Sequence, residues 1–300
     1  MNELSIGQPR IETIEISTAK VFEIEMATLR LDVIHPVVSG NKWYKLREYL
    51  NDARSKNKKA IVTFGGAYSN HVISTAAACQ IFKFQSIGII RGEKPVHLSP
   101  TLSEAQQMGM RLFFVGRTDF RMRQLPQDIF TQFSANDLYF INEGGYGIKG
   151  KEGAQTIITE NDVKKYTHIC AAVGTGTMLA GLIQAAAPHQ QAVGISVLKN
   201  NFSIEQEIEQ LLPQKSINYH IFYDYHFGGY AKYNTELLRF MNNWYGQTGI
   251  PSDFVYTGKM FYGVNHLLQK QFFKAGSKVL VIHSGGLQGN RSLTKGTLIF

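Results

Sequence analysis

Short apolar runs rich in β-formers alternate along this chain with longer stretches of helical periodicity. Ala60 to Phe64 reads as a buried strand closed by Gly65-Gly66, and Asn70 to Lys83 as the helix after it. Ser86 to Ile90 and Arg111 to Val115 predict two more strands with a helix over Ser99 to Met108 between them, and Tyr139 to Asn142 predicts a fourth. Further on, His168 to Val173, Ala192 to Leu198, Tyr219 to Tyr225 and Lys278 to His283 predict strands. Met178 to Ala187, Ser203 to Leu212, Lys232 to Tyr245 and Met260 to Lys274 predict helices. Such alternation implies parallel sheets covered by helices on both faces. This many strands suit two open, twisted, mostly parallel α/β sheets better than one. The Gly-rich segment Glu143 to Gly150 and the turn near Gly40 mark the junctions. The expected organisation is a smaller α/β domain, 44–150, inserted into a larger one made of 1–43 plus 151–300. Ligands of such folds bind outside the carboxyl ends of strands, here in the cleft between domains.

Composition narrows the class. Of 300 residues, 44% are hydrophobic and 18% charged, as in a soluble globular protein. No apolar run approaches the ~20 residues that span a bilayer. Met1 to Arg10 lacks a basic segment leading into an apolar one, so no secretory leader is expected. Cys79 and Cys170 lie in apolar runs and read as buried free thiols of a reducing compartment. The cytoplasm is the expected location. The net charge of +8 raises nucleic acid as a partner. However, the basic residues are scattered, and the one dense patch, Arg54 to Lys59, reads as a solvated helix end. Nucleic-acid binding is therefore not expected, whereas small anionic substrates suit a basic field.

Candidate chemistry begins with Ser39-Gly40-Asn41-Lys42, a lysine just after a Gly-Asn turn, with Lys45 one helical turn later. Taken alone, Lys42 reads as a surface lysine at a helix start. It gains meaning from Gly65-Gly66-Ala67-Tyr68-Ser69-Asn70-His71, where a strand ends in glycines and a helix begins. Free N–H groups there suit an anion; Ser69 also makes a good N-cap, but Asn70 and His71 exceed what a cap requires. A lysine able to reach a carbonyl, beside an anion-holding loop, is the minimal kit for a Schiff-base cofactor, pyridoxal phosphate. Gly174-Thr175-Gly176-Thr177, between a strand and a helix, has the layout of a phosphate cradle. It is not the dinucleotide fingerprint, because Leu179 stands where the third glycine belongs. Gly145 to Lys151 has Walker-like spacing, but Glu152 replaces the hydroxyl that would hold magnesium. Tyr256-Thr257-Gly258-Lys259 offers a tyrosine to guide a proton and a hydroxyl for a ring nitrogen. His283-Ser284-Gly285-Gly286 reads as a tight turn near the ligand, since Ile282 stands where a hydrolase elbow needs glycine. The histidines lack metal-ligand spacing, and no metal is expected.

In their order and spread, these motifs resemble the pyridoxal-phosphate-dependent family containing 1-aminocyclopropane-1-carboxylate (ACC) deaminase and D-cysteine desulfhydrase, a fold type II branch similar to tryptophan synthase β. The matching pieces are Gly40-Asn41-Lys42 with Lys45-Leu46, Gly65-Gly66 with Ser69-Asn70-His71, Glu143-Gly144-Gly145, and the three later motifs above. The resemblance implies a lyase or deaminase with its cofactor in the interdomain cleft and, as a family expectation, a homodimer. It implies Lys42 as covalent anchor and base at Cα. Lys45, Gly174, Thr175, Gly176 and Thr177 would hold the phosphate, Asn70 the ring oxygen, and Thr257 the pyridine nitrogen. Ser69, Asn70 and His71 would receive the substrate carboxylate, and Tyr256 with Tyr230 would guide proton transfer. The implied catalytic set is thus Lys42, Ser69, Tyr256 and Tyr230. His71 and Thr257 resemble the desulfhydrases, where ACC deaminases look like Gln and Glu. A hydroxyl at Thr257 suits expulsion of a thiolate better than ring opening. Tyr44 departs from the family pattern, which has arginine there. The expected activity is β-elimination from D-cysteine or a related small amino acid, giving pyruvate, ammonia and sulfide. The rivals are ACC ring opening, a pyridoxal-phosphate-binding protein without catalysis, and a nucleotide-binding module on the Gly174 loop.

Overall fold

The apolar runs become the strands of two sheets in the computed structural model, which describes residues 6–214 and 218–300. In chain order the strands are β1 (Arg10–Thr13), β2 (Glu25–Arg30), β3 (Ala60–Gly65), β4 (Gln85–Arg91), β5 (Arg111–Val115), β6 (Leu138–Ile141), β7 (His168–Val173), β8 (Gln191–Ser196), β9 (Tyr219–Phe222) and β10 (Lys278–His283). The helices are α1 (Ser17–Val21), α2 (Asn41–Ser55), α3 (Asn70–Phe82), α4 (Pro100–Gln107), α5 (Arg117–Met122), α6 (Ile148–Thr159), α7 (Thr177–Ala185), α8 (Ile204–Glu209), α9 (Thr235–Thr248) and α10 (Thr257–Gln269). The expectation about a leader rests partly on residues 1–5, outside the described residues.

The chain forms two compact units, one built on Lys42–Gly153 and the other on Gly7–Asn41 with Ala154–Phe300. The first holds a four-stranded sheet in the order β5-β4-β3-β6, with every pairing parallel. Alternate residues of its strands face opposite ways. Val62, Phe64, Ile87 and Ile89 pack with Phe120 of α5 on one face. Ile90 packs with Val72 and Ala76 of α3 and Leu102 and Ala105 of α4 on the other. The second unit holds a six-stranded sheet in the order β1-β2-β10-β7-β8-β9, parallel except for β1. Cys170, Ile195, Val279 and Val281 pack with Phe261 and Val264 of α10 on one face. On the opposite face, Gly194 lies under Leu179 of α7. Both sheets are thus covered on two sides, as parallel strands require. Cys79 and Cys170 are buried free thiols.

Several boundaries differ from the periodicity for local reasons. α9 starts at Thr235, not Lys232, because Asn234 caps it by accepting from the Leu237 N–H at 3.0 Å. It runs on to Gly249, whose φ of +67° ends it. α7 stops short of Ala187, the residue before Pro188. α10 begins at Thr257, three residues before the expected Met260, because a buried carboxylate organises its start. β9 ends at Phe222, where its pairing with Ile195 of β8 ends.

Candidate active site

In the unit built on Lys42–Gly153, Lys42 stands in the first turn of α2 and is half-buried. The residues just before it are seated by backbone alone. The Gly40 N–H donates to the Leu31 carbonyl at 2.8 Å and the Asn41 N–H to the Ser284 carbonyl at 3.2 Å. A Cβ on Gly40 would lie 1.9 Å from that Ser284 oxygen, and its φ is +63°. Only glycine satisfies both conditions. The turn that supplies Ser284 is itself braced. Buried His283 donates from Nε2 to the Pro251 carbonyl at 2.7 Å and faces Asp32 at 3.2 Å. Asp32 in turn accepts two bonds from Arg30, at 2.8 and 2.6 Å.

Lys45, on the next turn of α2, is 2% exposed and donates to the Gly144 carbonyl at 3.2 Å. Burial, and then the charge of Lys42, hold its ammonium well below the usual lysine range. At the carboxyl end of β3, Ser69 caps α3 by accepting from the Val72 N–H at 3.3 Å. Asn70 and His71 follow, both buried, and Asn70 Oδ1 and His71 Nδ1 have no hydrogen-bond partner among the described residues. The His71 tautomer is set by its neighbour. Thr63 donates its hydroxyl proton to the Ile141 carbonyl at 3.1 Å, so at 2.9 Å it can only accept from His71 Nε2–H. Nδ1 is therefore a bare lone pair. Burial, then the charges of Lys42 and Lys45, hold the imidazole neutral, well below its ordinary pKa. The ring in this tautomer offers an acceptor at Nδ1.

In the other unit, Gly174-Thr175-Gly176 joins β7 to α7. Gly176 takes φ +71° as N-cap and contributes no side-chain bond, leaving the first amides of α7 without a capping side chain. A Cβ there would lie 2.6 Å from Ile208. The Thr175 and Thr177 hydroxyls meet at 3.1 Å. Tyr256 lies against this loop, 3.2 Å from where a Cβ on Gly174 would stand. Tyr230 meets Tyr256 edge-on, with centroids 6.1 Å apart. The structure thus gathers the loop and both tyrosines.

Thr257 is seated by a buried carboxylate. It is 0% exposed and donates its hydroxyl proton to Asp253 Oδ1 at 2.8 Å. Asp253 also accepts the N–H groups of Val255, Tyr256 and Thr257, each at 2.9 Å. Two donors meet each carboxylate oxygen, an arrangement that favours the charged form. Burial pushes this carboxyl upward while those donors favour its charge. Sequence reasoning missed Asp253; its signal was an acidic residue four positions before Thr257. It also missed Lys259 as a structural cation. That ammonium donates to the carbonyls of His226 at 2.8 Å and Gly229 at 2.7 Å, fixing the turn before Tyr230. Burial pulls Lys259 down to about 8 against the attraction of Asp253.

Among the described residues, no group of three His, Cys, Asp or Glu side chains could hold a metal ion, and no helix is long and apolar enough to cross a membrane. Comparison with known families shows a match to the profile described as "Pyridoxal-phosphate dependent enzyme" over residues 18–285. The chain belongs to this family. A Pyrococcus horikoshii protein named "Putative 1-aminocyclopropane-1-carboxylate deaminase" is 28% identical over 268 residues, 84% of this chain and 81% of the relative. A Salmonella typhi "D-cysteine desulfhydrase" is 25% identical over 287 residues, 87% of each chain. A solved ACC deaminase homologue superposes with a TM-score of 0.80 at 26% identity, covering 96% of this chain and 92% of that one. The protein is a pyridoxal-phosphate-dependent lyase or deaminase acting on a small molecule. When bound, the cofactor supplies an electron sink for charge developing at the Cα of an amino acid. The residues present suit it: two lysines at the start of α2 in one unit and, in the other, a loop before α7 whose first amides have no capping side chain and whose Gly176 takes φ +71°.

Proposed function

We propose that Lys42 is the cofactor's covalent anchor and the base that takes the Cα proton, and that the reaction is β-elimination from a small amino acid of the D-cysteine type. What carries the assignment is the division of labour between two lysines one turn apart. Lys45 is enclosed and held by the Gly144 carbonyl, where a phosphate would restore the charge that burial disfavours; Lys42 keeps a half-buried amine. The amides opening α7, with Thr175 and Thr177, share the phosphate in this reading. Asn70 meets the ring oxygen, and Ser69, Asn70 and His71 receive the substrate through their backbone and amide groups. Tyr256 and Tyr230 guide the proton, and Thr257, its own proton committed to Asp253, offers the ring nitrogen an acceptor. D-cysteine yields pyruvate, ammonia and sulfide in this scheme. The working unit is a homodimer in the cytoplasm.

The names of the archaeal relatives support a second reading, ring opening of ACC to 2-oxobutanoate and ammonia. The absorption spectrum of the purified protein beside Lys42→Ala tests the anchor. The visible cofactor band is expected in the wild type and absent in the variant. Pyruvate from D-cysteine supports elimination, and 2-oxobutanoate from ACC supports ring opening instead. A band with neither product favours a binding protein without turnover. A wild-type protein that takes up no cofactor rejects the assignment.

A further inference from the structure

A cavity of about 530 Å³ opens at the carboxyl ends of the strands of the four-stranded sheet. Its lining includes Phe64 near the end of β3, Arg91 at the end of β4, Arg117 just after β5 and Glu143 just after β6. That is where parallel sheets receive ligands, and the volume falls within the usual range for small molecules. Its chemistry is one-sided: Arg91, Arg117, Arg121 and Arg123 face a single carboxylate, Glu143. Among the described residues, no ion pair to a carboxylate involves any of the four arginines.

The guanidiniums are arranged rather than merely exposed. Arg91 lies over the Phe120 ring at 5.6 Å, and Arg123 over Phe64 at 5.9 Å. Stacking on an aromatic face orients a planar fork. The Arg91 edge is left for an oxyanion, whereas Arg123 also donates from one nitrogen to the Asn142 side-chain oxygen. Arg117 and Arg121 are four residues apart on α5 and share one face of it. Burial raises the Glu143 carboxyl, while Arg91 and Arg123 pull it back. The cavity also adjoins the lysine–histidine cluster. A Cβ on Gly66, in the loop leading to Ser69 and His71, would stand 3.8 Å from the Arg91 guanidinium. Glu143 opens the Glu143–Gly145 turn, whose Gly144 carbonyl holds Lys45. A thiol or a cyclopropane ring would leave this many forked cations without a counterpart.

We propose that the arginine cavity receives an oxyanion group carried by the substrate itself, so that the natural substrate is an amino acid with a second strongly anionic group, phosphate-like or carboxylate, beyond its α-carboxylate. This rests on the reading of Lys42 as the reacting centre, and D-cysteine is then a surrogate lacking that group.

Calorimetric titration of the cofactor-loaded protein tests it with O-phosphoserine and serine, each as both enantiomers, and with inorganic phosphate. Phosphoserine of one hand is expected to bind at least roughly 10-fold tighter than serine, since charge-assisted bonds to a phosphate are strong. In the double variant Arg117→Gln/Arg121→Gln, that ratio is expected to collapse toward one. Both side chains are exposed, so the fold should survive; circular dichroism checks this. Inorganic phosphate is expected to compete with phosphoserine. Equal affinity for serine and phosphoserine overturns the proposal. Phosphate that binds without competing assigns the cavity to a free anion and overturns it too. Loss of cofactor from the double variant assigns the arginines to the cofactor's own phosphate and likewise overturns the proposal. A wild type that binds phosphate but no cofactor would reject the Lys42 assignment, and the substrate reading with it, while leaving an oxyanion cavity in place.

Discussion

At the scale of single residues, the most consequential choice is the His71 proton. Thr63 fixes it on Nε2 by giving its own proton to Ile141. Replacing Thr63 by Val removes the partner of a buried N–H and of a carbonyl, and should destabilise the protein by about 1–3 kcal/mol in denaturant titrations. The same histidine sets a pH dependence. Its folded pKa lies well below its ordinary value, so the unfolded chain binds the extra proton as pH falls through about 6.5. Stability should therefore decline from pH 7.5 to 5.5, and His71→Gln should decline less across that window. An equal loss in both proteins would place the titration elsewhere. These relations explain what was legible in the sequence. The residue types at Lys42, Lys45 and Asn70-His71 announce an anion and a carbonyl. The partners Thr63 and Asp253 are invisible there, because a hydroxyl's direction depends on which carbonyl or carboxylate the fold brings to it.

At the scale of elements, helix starts and strand ends carry the chemistry, and their positions depend on capping. Asp253 gathers three amides and a hydroxyl at the start of α10, beside Tyr256. Asp253→Ala should cost about 3–5 kcal/mol, since it strands several buried donors at once. Asp253→Asn keeps the shape but only one acceptor oxygen, and should fall between the alanine variant and the wild type in thermal melts. Central strands such as β3, β7 and β10 could be read directly, because continuous apolar runs bounded by glycine have few other uses. The edge strand β1 and its neighbour β2 were not. Arg10–Thr13 is only four residues with exposed charges, and Glu25–Arg30 becomes a strand through its pairing with β10. Their identity is tertiary, and no window of local sequence holds it.

At the scale of the whole molecule, the net charge of +8 is partly concentrated in one cavity with four arginines, so salt should weaken the binding of anionic ligands more than that of neutral ones. The larger sheet is also sewn together across the length of the chain. Thr28 of β2 donates to Val281 of β10 across 253 residues, whereas β3 to β6 find all their partners between residues 60 and 141. A chain cut before Lys278 should lose the larger unit, and limited proteolysis should then leave a protected fragment near residues 42–153. The ordinary order of synthesis follows from the same pairing. A ribosome releases β2 well before β10, so β3 to β6 can finish pairing while the sheet around β2 is still waiting. Maturation of this enzyme therefore waits on β10 and the turn after it: a nascent chain can hold a completed small sheet, but the turn that seats the residues before Lys42 does not exist until Ser284 has left the ribosome.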